Sequence, residues 1–277
     1  MNVNNFNNLI NKYNYFLFDL WGVLYQKSSN KNAKGTQEIN KIFSEIRKKK
    51  KYIYIVSNSS GNKINIKNLL KKVKIKTKYV NDIFTAGDYA IADFTKKKKY
   101  YQFKFGNRCF FNGKNKYVYN FLKKKKIFFF VSSVNKADFI IGTNPDKKTL
   151  TLIKKVYKNK YFVCINADFL NIFNKRCMGW YANKYFLKGG KVFYFGKPLN
   201  LFDYLIKKKN LAKKKKEILC IGDSLYHDIY GSLKSGFHSL LIKKSIVYKT
   251  KIKTPNFIIH EKKIHIKPTY TSKSLKF

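Results

Sequence analysis

Asp19, Ser57 with Asn58, Lys197, and Asp223 with Asp228 are the residues of this chain whose types and settings could do chemistry. Each group stands at or just past the end of a short strand-like run that is apolar or nearly so, over residues 15–18, 52–56, 192–195 and 217–221. Carboxylates can hold a hard cation or attack an electrophile, and a hydroxyl and a lysine can hold the oxygens of an anion. Taken singly, each has a plainer explanation. Asp19 can cap the segment that follows it, Ser57 can cap a helix, and Asp228 can complement a helix dipole from the first turn. Lys197 is one lysine among dozens. Their shared setting at strand ends is what gives the set weight.

The elements that must position them alternate between strand-like and helix-like runs, the pattern of a parallel sheet wrapped by helices. Residues 15–18 read as a fully buried strand, and Gly22 marks a tight turn just past it. Ile39, Ile42, Phe43 and Ile46 fall at helical spacing in 37–47. A second strand is expected over 52–56, a helix over 65–73, a third strand over 83–85 and a helix through Phe94. A second series then begins: helix 116–122, strands 127–131 and 139–142, helix 147–157, strand 161–165 and helix 178–186. The strand over 192–195 is expected to resume the first series, followed by helix 199–206, strand 217–221, helix 228–235 and strand 237–242. The expected fold is therefore α/β, a Rossmann-like parallel-sheet core over 1–86 and 188–277 with an inserted α/β cap over 87–187. In such sheets ligands bind beyond the carboxyl ends of the strands, where the candidate residues lie.

Composition narrows the class. The chain has 277 residues, 44% hydrophobic and 17% aromatic, enough to bury a sizeable core. No stretch approaches the ~18 consecutive apolar residues needed to span a bilayer, and the asparagine-rich start lacks the apolar centre of a signal peptide. Cys109, Cys164, Cys177 and Cys220 have no metal-ligand spacing and are expected to be reduced, buried thiols of a cytoplasmic protein. The formal charge of +46 invites a polyanion partner. However, Arg47, Arg108 and Arg176 are the only arginines, although arginine favours bidentate phosphate and guanine contacts. Lysine, asparagine, isoleucine, phenylalanine and tyrosine, all with A/T-rich codons, are inflated together, so compositional drift explains the charge more simply. No specific nucleic acid or membrane is expected as a partner. The lysine runs 48–51, 96–99, 123–126, 207–209 and 213–216 mostly follow helices and read as solvated loops at the sheet edge remote from the ligand crevice.

The ordered set resembles the haloacid-dehalogenase-like superfamily, whose members use an aspartate nucleophile, a serine or threonine, a lysine and a closing acidic pair. Phe18-Asp19-Leu20-Trp21-Gly22-Val23-Leu24 is similar to the first motif and Val56-Ser57-Asn58-Ser59 to the second. Phe195-Gly196-Lys197-Pro198 resembles the third, and Gly222-Asp223-Ser224-Leu225-Tyr226-His227-Asp228-Ile229 the fourth. Phe84-Thr85-Ala86-Gly87-Asp88, Cys164-Ile165-Asn166-Ala167-Asp168 and Lys267-Pro268-Thr269-Tyr270 resemble class IIA members, which carry an α/β cap between the second and third motifs and include nucleotide and sugar-phosphate phosphatases. The chain also resembles a bacterial subfamily with tryptophan two places after the nucleophile.

This resemblance implies a Mg²⁺-dependent phosphomonoester hydrolase working through an aspartyl-phosphate on Asp19, with a small phosphorylated metabolite as substrate. It implies that Asp19, Asp223 and the main-chain carbonyl of Trp21 hold Mg²⁺, with Asp228 close by. Ser57, Asn58 and nearby backbone N–H groups at a helix N-terminus would bind the phosphate, and Lys197 would neutralise nucleophile and phosphoryl group. Relatives often pair through their caps, which leaves a homodimer open. One departure matters: the family's phosphatases usually carry a second aspartate where Trp21 stands, and it serves as general acid and base. A general acid contributes about 10²–10⁴-fold, so weak activity biased toward low-pKa leaving groups is expected. His227 is the nearby candidate for a substitute acid, against a plainer role as a capping or surface residue. Two other functions compete: a degenerate member that binds a phosphorylated metabolite or a protein without turnover, and a charge-driven nucleic-acid binder. Asn166 and Asp168 could touch substrate, although a turn is the plainer role.

Overall fold

The computed structural model describes residues 2–3, 5–25, 33–154, 159–198, 200–243 and 266–275. The apolar runs form two parallel sheets. The first contains β1 (Tyr15–Phe18), β2 (Tyr52–Ser57), β3 (Asp82–Thr85), β9 (Ile218–Gly222), β10 (His238–Ile242) and β11 (Tyr270–Ser272), in the order β11-β10-β9-β1-β2-β3. The second contains β4 (Arg108–Asn112), β5 (Phe129–Val131), β6 (Phe139–Gly142), β7 (Tyr161–Ile165) and β8 (Lys191–Phe195), in the order β5-β4-β6-β7-β8.

In the first sheet β1 is flanked by β2 and β9, with Phe18 in register with Ile55 on one side and Ile221 on the other. All pairings are parallel, and the order of succession runs β1-β2-β3 to one side of β1 and β9-β10-β11 to the other, a switch point that opens a crevice at the carboxyl end of β1. Successive side chains of a strand face opposite sides. Accordingly Tyr15 and Leu17 join one core while Phe16 and Phe18 join another, so a four-residue strand has to be apolar throughout.

Helices cover both faces. The faces of α1 (Asn7–Lys12) and α2 (Ala33–Lys48) that carry Leu9, Ile10, Ile39, Ile42, Phe43 and Ile46 bury into the core containing Phe16 and Phe18. On the other side α4 (Ala86–Lys96), α5 (Lys98–Phe105) and α9 (Leu201–Lys209) contribute Phe94, Tyr101, Phe105, Phe202 and Leu205 to a core shared with the second sheet. Phe195 at the end of β8 lies 5.3 Å from the Tyr89 ring and 5.0 Å from the Phe94 ring. The aromatic cluster therefore welds the two sheets together, and its burial supplies their contact energy. Helices α3 (Lys63–Lys72), α6 (Tyr117–Lys124), α7 (Lys147–Lys154), α8 (Met178–Leu187) and α10 (Gly231–Lys234) complete the layers.

Several expectations need correction. The strand at 192–195 does not resume the first series: Val192 to Phe195 pair with Phe162 to Ile165 of β7, so this strand is an edge of the second sheet. A short buried apolar run says nothing about which sheet receives it. The lysine run 96–99 is not a loop before a strand but the junction of α4 and α5. The expected helix 228–235 is a π-helical turn, Leu225–Tyr230, continuing into α10. The expected helix 199–206 begins at Leu201, with Leu199 outside the described residues, as is the end of the expected helix 147–157. Helices α1 and α5 and strands β4 and β11 carry no clear periodic signal. The lysine runs at 48–51, 123–126 and 213–216 lie just before β2, β5 and β9, at amino ends of strands. The four cysteines are buried and free of disulfides.

Candidate active site

Asp19 leaves β1 with its N–H still donated to the Ile221 carbonyl at 2.8 Å, so the ladder to β9 fixes where its carboxylate begins. The chain then turns back on itself. The N–H groups of Leu24 and Tyr25 both donate to the Leu20 carbonyl, and Gly22 donates to the Tyr25 carbonyl at 2.8 Å. Gly22 has φ 92, a left-handed conformation that glycine adopts without the Cβ penalty. Trp21 is half-buried; its ring lies 5.1 Å from Tyr25 and packs against the core beneath β1.

Lys197 arrives from the other sheet. It follows β8, and Gly196 at φ 135 bends the chain back toward β1. A Cβ on Gly196 would stand 2.6 Å from Asn58 Oδ1, so only glycine fits here. Lys197 is 2% exposed, and its Nζ donates to Asp19 Oδ1 at 2.5 Å and to Asp228 Oδ1 at 2.6 Å. Asp223 follows β9 directly, and Asp228 lies in the π-helical turn behind it, where its Oδ2 accepts the Ser224 N–H at 3.1 Å. Asp19, Asp223 and Asp228 each present a carboxylate oxygen within 4.8 Å of the others, and all are buried.

Three buried carboxylates are thus grouped together, and one ammonium pairs with two of them, Asp19 and Asp228. Burial raises the Asp19 pKa well above the usual carboxylate range; Lys197 opposes this, while the charges of Asp228 and Asp223 reinforce it. Burial also works against the Lys197 ammonium, but Asp19 and Asp228, then Asp168, outweigh it and hold its pKa well above the ordinary value. The lysine stays charged, and the acidic cluster remains short of positive charge. Buried charges require pairing or a metal, and an all-oxygen donor set of carboxylates suits a hard divalent cation such as Mg²⁺. The residues present therefore fit the ion that the family resemblance implies.

The remaining sequence candidates sit around this centre in different ways. Ser57 is fully buried at the end of β2, and its Oγ accepts the Ser59 N–H at 3.2 Å. It is neither a helix cap nor at a helix N-terminus: α3 begins at Lys63 and is capped by Asn62, whose Oδ1 accepts the Asn65 N–H. Asn58 is 1% exposed and uses its side chain on protein: Oδ1 accepts the Lys197 N–H at 2.6 Å, and Nδ2 donates to Asp168 Oδ1 at 2.8 Å. Its amide is thus occupied with the lysine and the second sheet.

His227 is 5% exposed, so the surface reading fails. Its Nε2 lies 3.0 Å from the Ala167 carbonyl, an acceptor, so this nitrogen carries the proton. The Nδ1 lies 3.2 Å from Ser224 Oγ and 3.8 Å from Asp168 Oδ1. Burial lowers its pKa below 6.5 despite Asp168 and Asp228. The histidine is therefore neutral, with its one N–H committed to Ala167, an arrangement unsuited to a general acid. Asp168, whose plainer reading is a turn residue, instead joins Asn58 across the two sheets. The Asn166-Ala167-Asp168 stretch at the end of β7 stands out in the sequence, but its partners depend on how the sheets dock.

Residues 16–151 match a family model described as haloacid dehalogenase-like hydrolase, a span that includes Asp19 and Ser57. No curated protein matches the chain by sequence. Among solved structures, it is similar to a haloacid dehalogenase-like hydrolase from Brucella suis 1330, with a TM-score of 0.76 at 17% identity over 98% of both chains. It is also similar to a possible sugar phosphatase from Cytophaga hutchinsonii ATCC 33406, with a TM-score of 0.69 at 22% identity over 100% of this chain and 99% of that one. A p-nitrophenyl phosphatase from Archaeoglobus fulgidus gives a TM-score of 0.60 at 17% identity, covering 95% and 97%. The family model thus takes in the stretch that carries Asp19 and Ser57, and the fold is shared with these solved structures along nearly the whole length of the chain.

Proposed function

We propose that this protein is a phosphomonoester hydrolase that acts on a small phosphorylated metabolite through a covalent phosphoryl group on Asp19. The observation that carries the reading is the buried arrangement in which Lys197 bridges Asp19 and Asp228 beside Asp223. Such a set suits the meeting of two anions, a carboxylate nucleophile and a phosphate. Asp19, Asp223 and Asp228 would hold Mg²⁺ together with the main-chain oxygen of Trp21, and the bound ion would neutralise charge shared by nucleophile and substrate.

In the first step an Asp19 carboxylate oxygen forms a bond to phosphorus as the bond to the leaving oxygen breaks. Lys197 holds the nucleophile in place and offers its ammonium protons to the phosphoryl oxygens as charge redistributes. In the second step water attacks phosphorus, inorganic phosphate leaves, and the Asp19 carboxylate is regenerated. Trp21 can neither protonate the departing oxygen nor activate the water, and its ring is committed to Tyr25 and the core. Substrates whose leaving groups depart without a proton, such as aryl or acyl phosphates, are accordingly favoured. The second sheet serves as the cap, and with β8 it also delivers Lys197.

A second reading follows from Trp21: a member that binds a phosphorylated ligand without completing turnover. One experiment separates the two. Hydrolysis of p-nitrophenyl phosphate is followed with and without Mg²⁺, beside Asp19→Asn. Steady Mg²⁺-dependent turnover that vanishes in the variant supports the hydrolase; a single burst of phosphoenzyme supports the binder. Equal, metal-independent rates in both proteins would remove Asp19 from the chemistry.

A further inference from the structure

Lys197 belongs to the second sheet by connectivity, yet its ammonium completes a centre whose carboxylates follow strands of the first sheet. Something must set the lysine's backbone relative to β1. The residue in contact with both sides is Asn58, just past the end of β2. Its Oδ1 takes the Lys197 N–H at 2.6 Å, and its Nδ2 approaches the Lys197 carbonyl at 3.4 Å while donating to Asp168 Oδ1 at 2.8 Å. Beside it, His227 Nε2 donates to the carbonyl of Ala167, the residue before Asp168. Two adjacent residues of the loop after β7 are thereby pinned to the segments that follow β2 and β9 of the first sheet, the second of which carries Asp228.

We infer that Asn58 is a positioning residue: through Asp168 it clamps the backbone of Lys197, so that the ammonium bridges Asp19 and Asp228 only when the loop after β7 is docked. The inference rests on the proposed function for its catalytic consequence, but its structural content is separate. The chemistry of the contact is specific. An asparagine supplies one acceptor and one donor, and here the acceptor meets an N–H while the donor meets a carboxylate. Aspartate at 58 could still accept from Lys197 but would face the Asp168 carboxylate with no proton between them. Asparagine at 168 would restore the missing donor. The sequence of partners therefore predicts a reciprocal exchange, which a residue that merely fills space would not show.

The test compares Asn58→Ala, Asn58→Asp, Asp168→Asn and the Asn58→Asp/Asp168→Asn double variant with the unaltered protein. Each is assayed for p-nitrophenyl phosphate turnover, and each is treated with formaldehyde and a borohydride reductant to find which lysines become methylated. In the unaltered protein Lys197, being buried, resists methylation. Asn58→Ala and Asn58→Asp are expected to lower kcat by about 10–100-fold, the usual loss for residues that orient a reactive group, with KM changed less. Both should expose Lys197 to methylation, and the double variant should recover most of the rate and the protection that Asn58→Asp alone loses. Full protection of Lys197 in Asn58→Ala would overturn the inference, as would a double variant no better than Asn58→Asp. If the unaltered protein and Asp19→Asn turn over substrate equally, the hydrolase reading fails, and methylation alone still decides the clamp. Circular dichroism identifies any variant that has not folded, and the double variant then decides.

Discussion

Lys197 Nζ lies 2.5 Å from Asp19 Oδ1 although the two residues leave strands of different sheets. The ion pair is therefore a contact between layers, and 178 residues of chain separate its members. It couples the stability of the docked arrangement to the readiness of the nucleophile.

Removing the ammonium tests that coupling. Lys197→Met would leave Asp19 and Asp228 buried without their shared cation, and breaking a buried pair costs about 3–5 kcal/mol. A lower thermal unfolding midpoint is expected, together with loss of p-nitrophenyl phosphate turnover. An unchanged midpoint in metal-free buffer would show that the pair contributes nothing to the docked structure.

The acidic cluster should make stability depend on a divalent ion. Binding to the folded state alone stabilises by about 2.7 kcal/mol at a hundred times the dissociation constant. Mg²⁺ should raise the unfolding midpoint of the unaltered protein, and EDTA should reverse the rise. Asp223→Asn, which removes one of three carboxylates grouped within 4.8 Å, should largely abolish the response.

His227 should contribute a distinct dependence on pH. Its folded pKa is lowered by burial, with Asp168 and Asp228 opposing and Lys197 assisting. Between that lowered value and 6.5 the unfolded chain binds more protons than the folded one, so stability rises with pH there and falls on acidification. The loss of unfolding midpoint between pH 7 and pH 5.5 should be larger in the unaltered protein than in His227→Gln. The difference between the two isolates the histidine from Asp19, whose raised pKa acts in the opposite direction.

Trp21 should govern the choice of leaving group. The unaltered protein is expected to hydrolyse an aryl phosphate faster than a sugar phosphate under the same Mg²⁺ conditions. Trp21→Asp places an ionisable group two residues after the proposed nucleophile, and general acid catalysis contributes about 10²–10⁴-fold. The variant should gain more on the sugar phosphate than on the aryl phosphate, at some cost in stability from the lost Tyr25 contact. Equal effects on both substrates would remove the tryptophan from leaving-group chemistry.

Much of the site is legible in the amino-acid sequence. Asp19, Lys197, Asp223 and Asp228 follow apolar runs because a buried strand needs apolar side chains on both faces, and the ligand edge begins where the run stops. Local turn chemistry also reads directly, as Gly22 shows at φ 92. Ser57 and Asn58 mark the neighbourhood of the site, but pattern alone does not give their parts in it. The cap of α3 is Asn62, five residues past Ser57, and the Asn58 amide serves Lys197 and Asp168. Side-chain partners so far apart along the chain leave no periodic signal.

The alternation of elements and the kinds of group at their ends can be read from the order of residues, since both depend on neighbours within a few positions of one another. Tertiary structure alone decided that β8 joins the second sheet, that Lys197 crosses to Asp19, and that His227 points its N–H at Ala167. Those outcomes depend on how two layers share one aromatic core, and packing between layers is a property of surfaces that no short stretch of chain encodes.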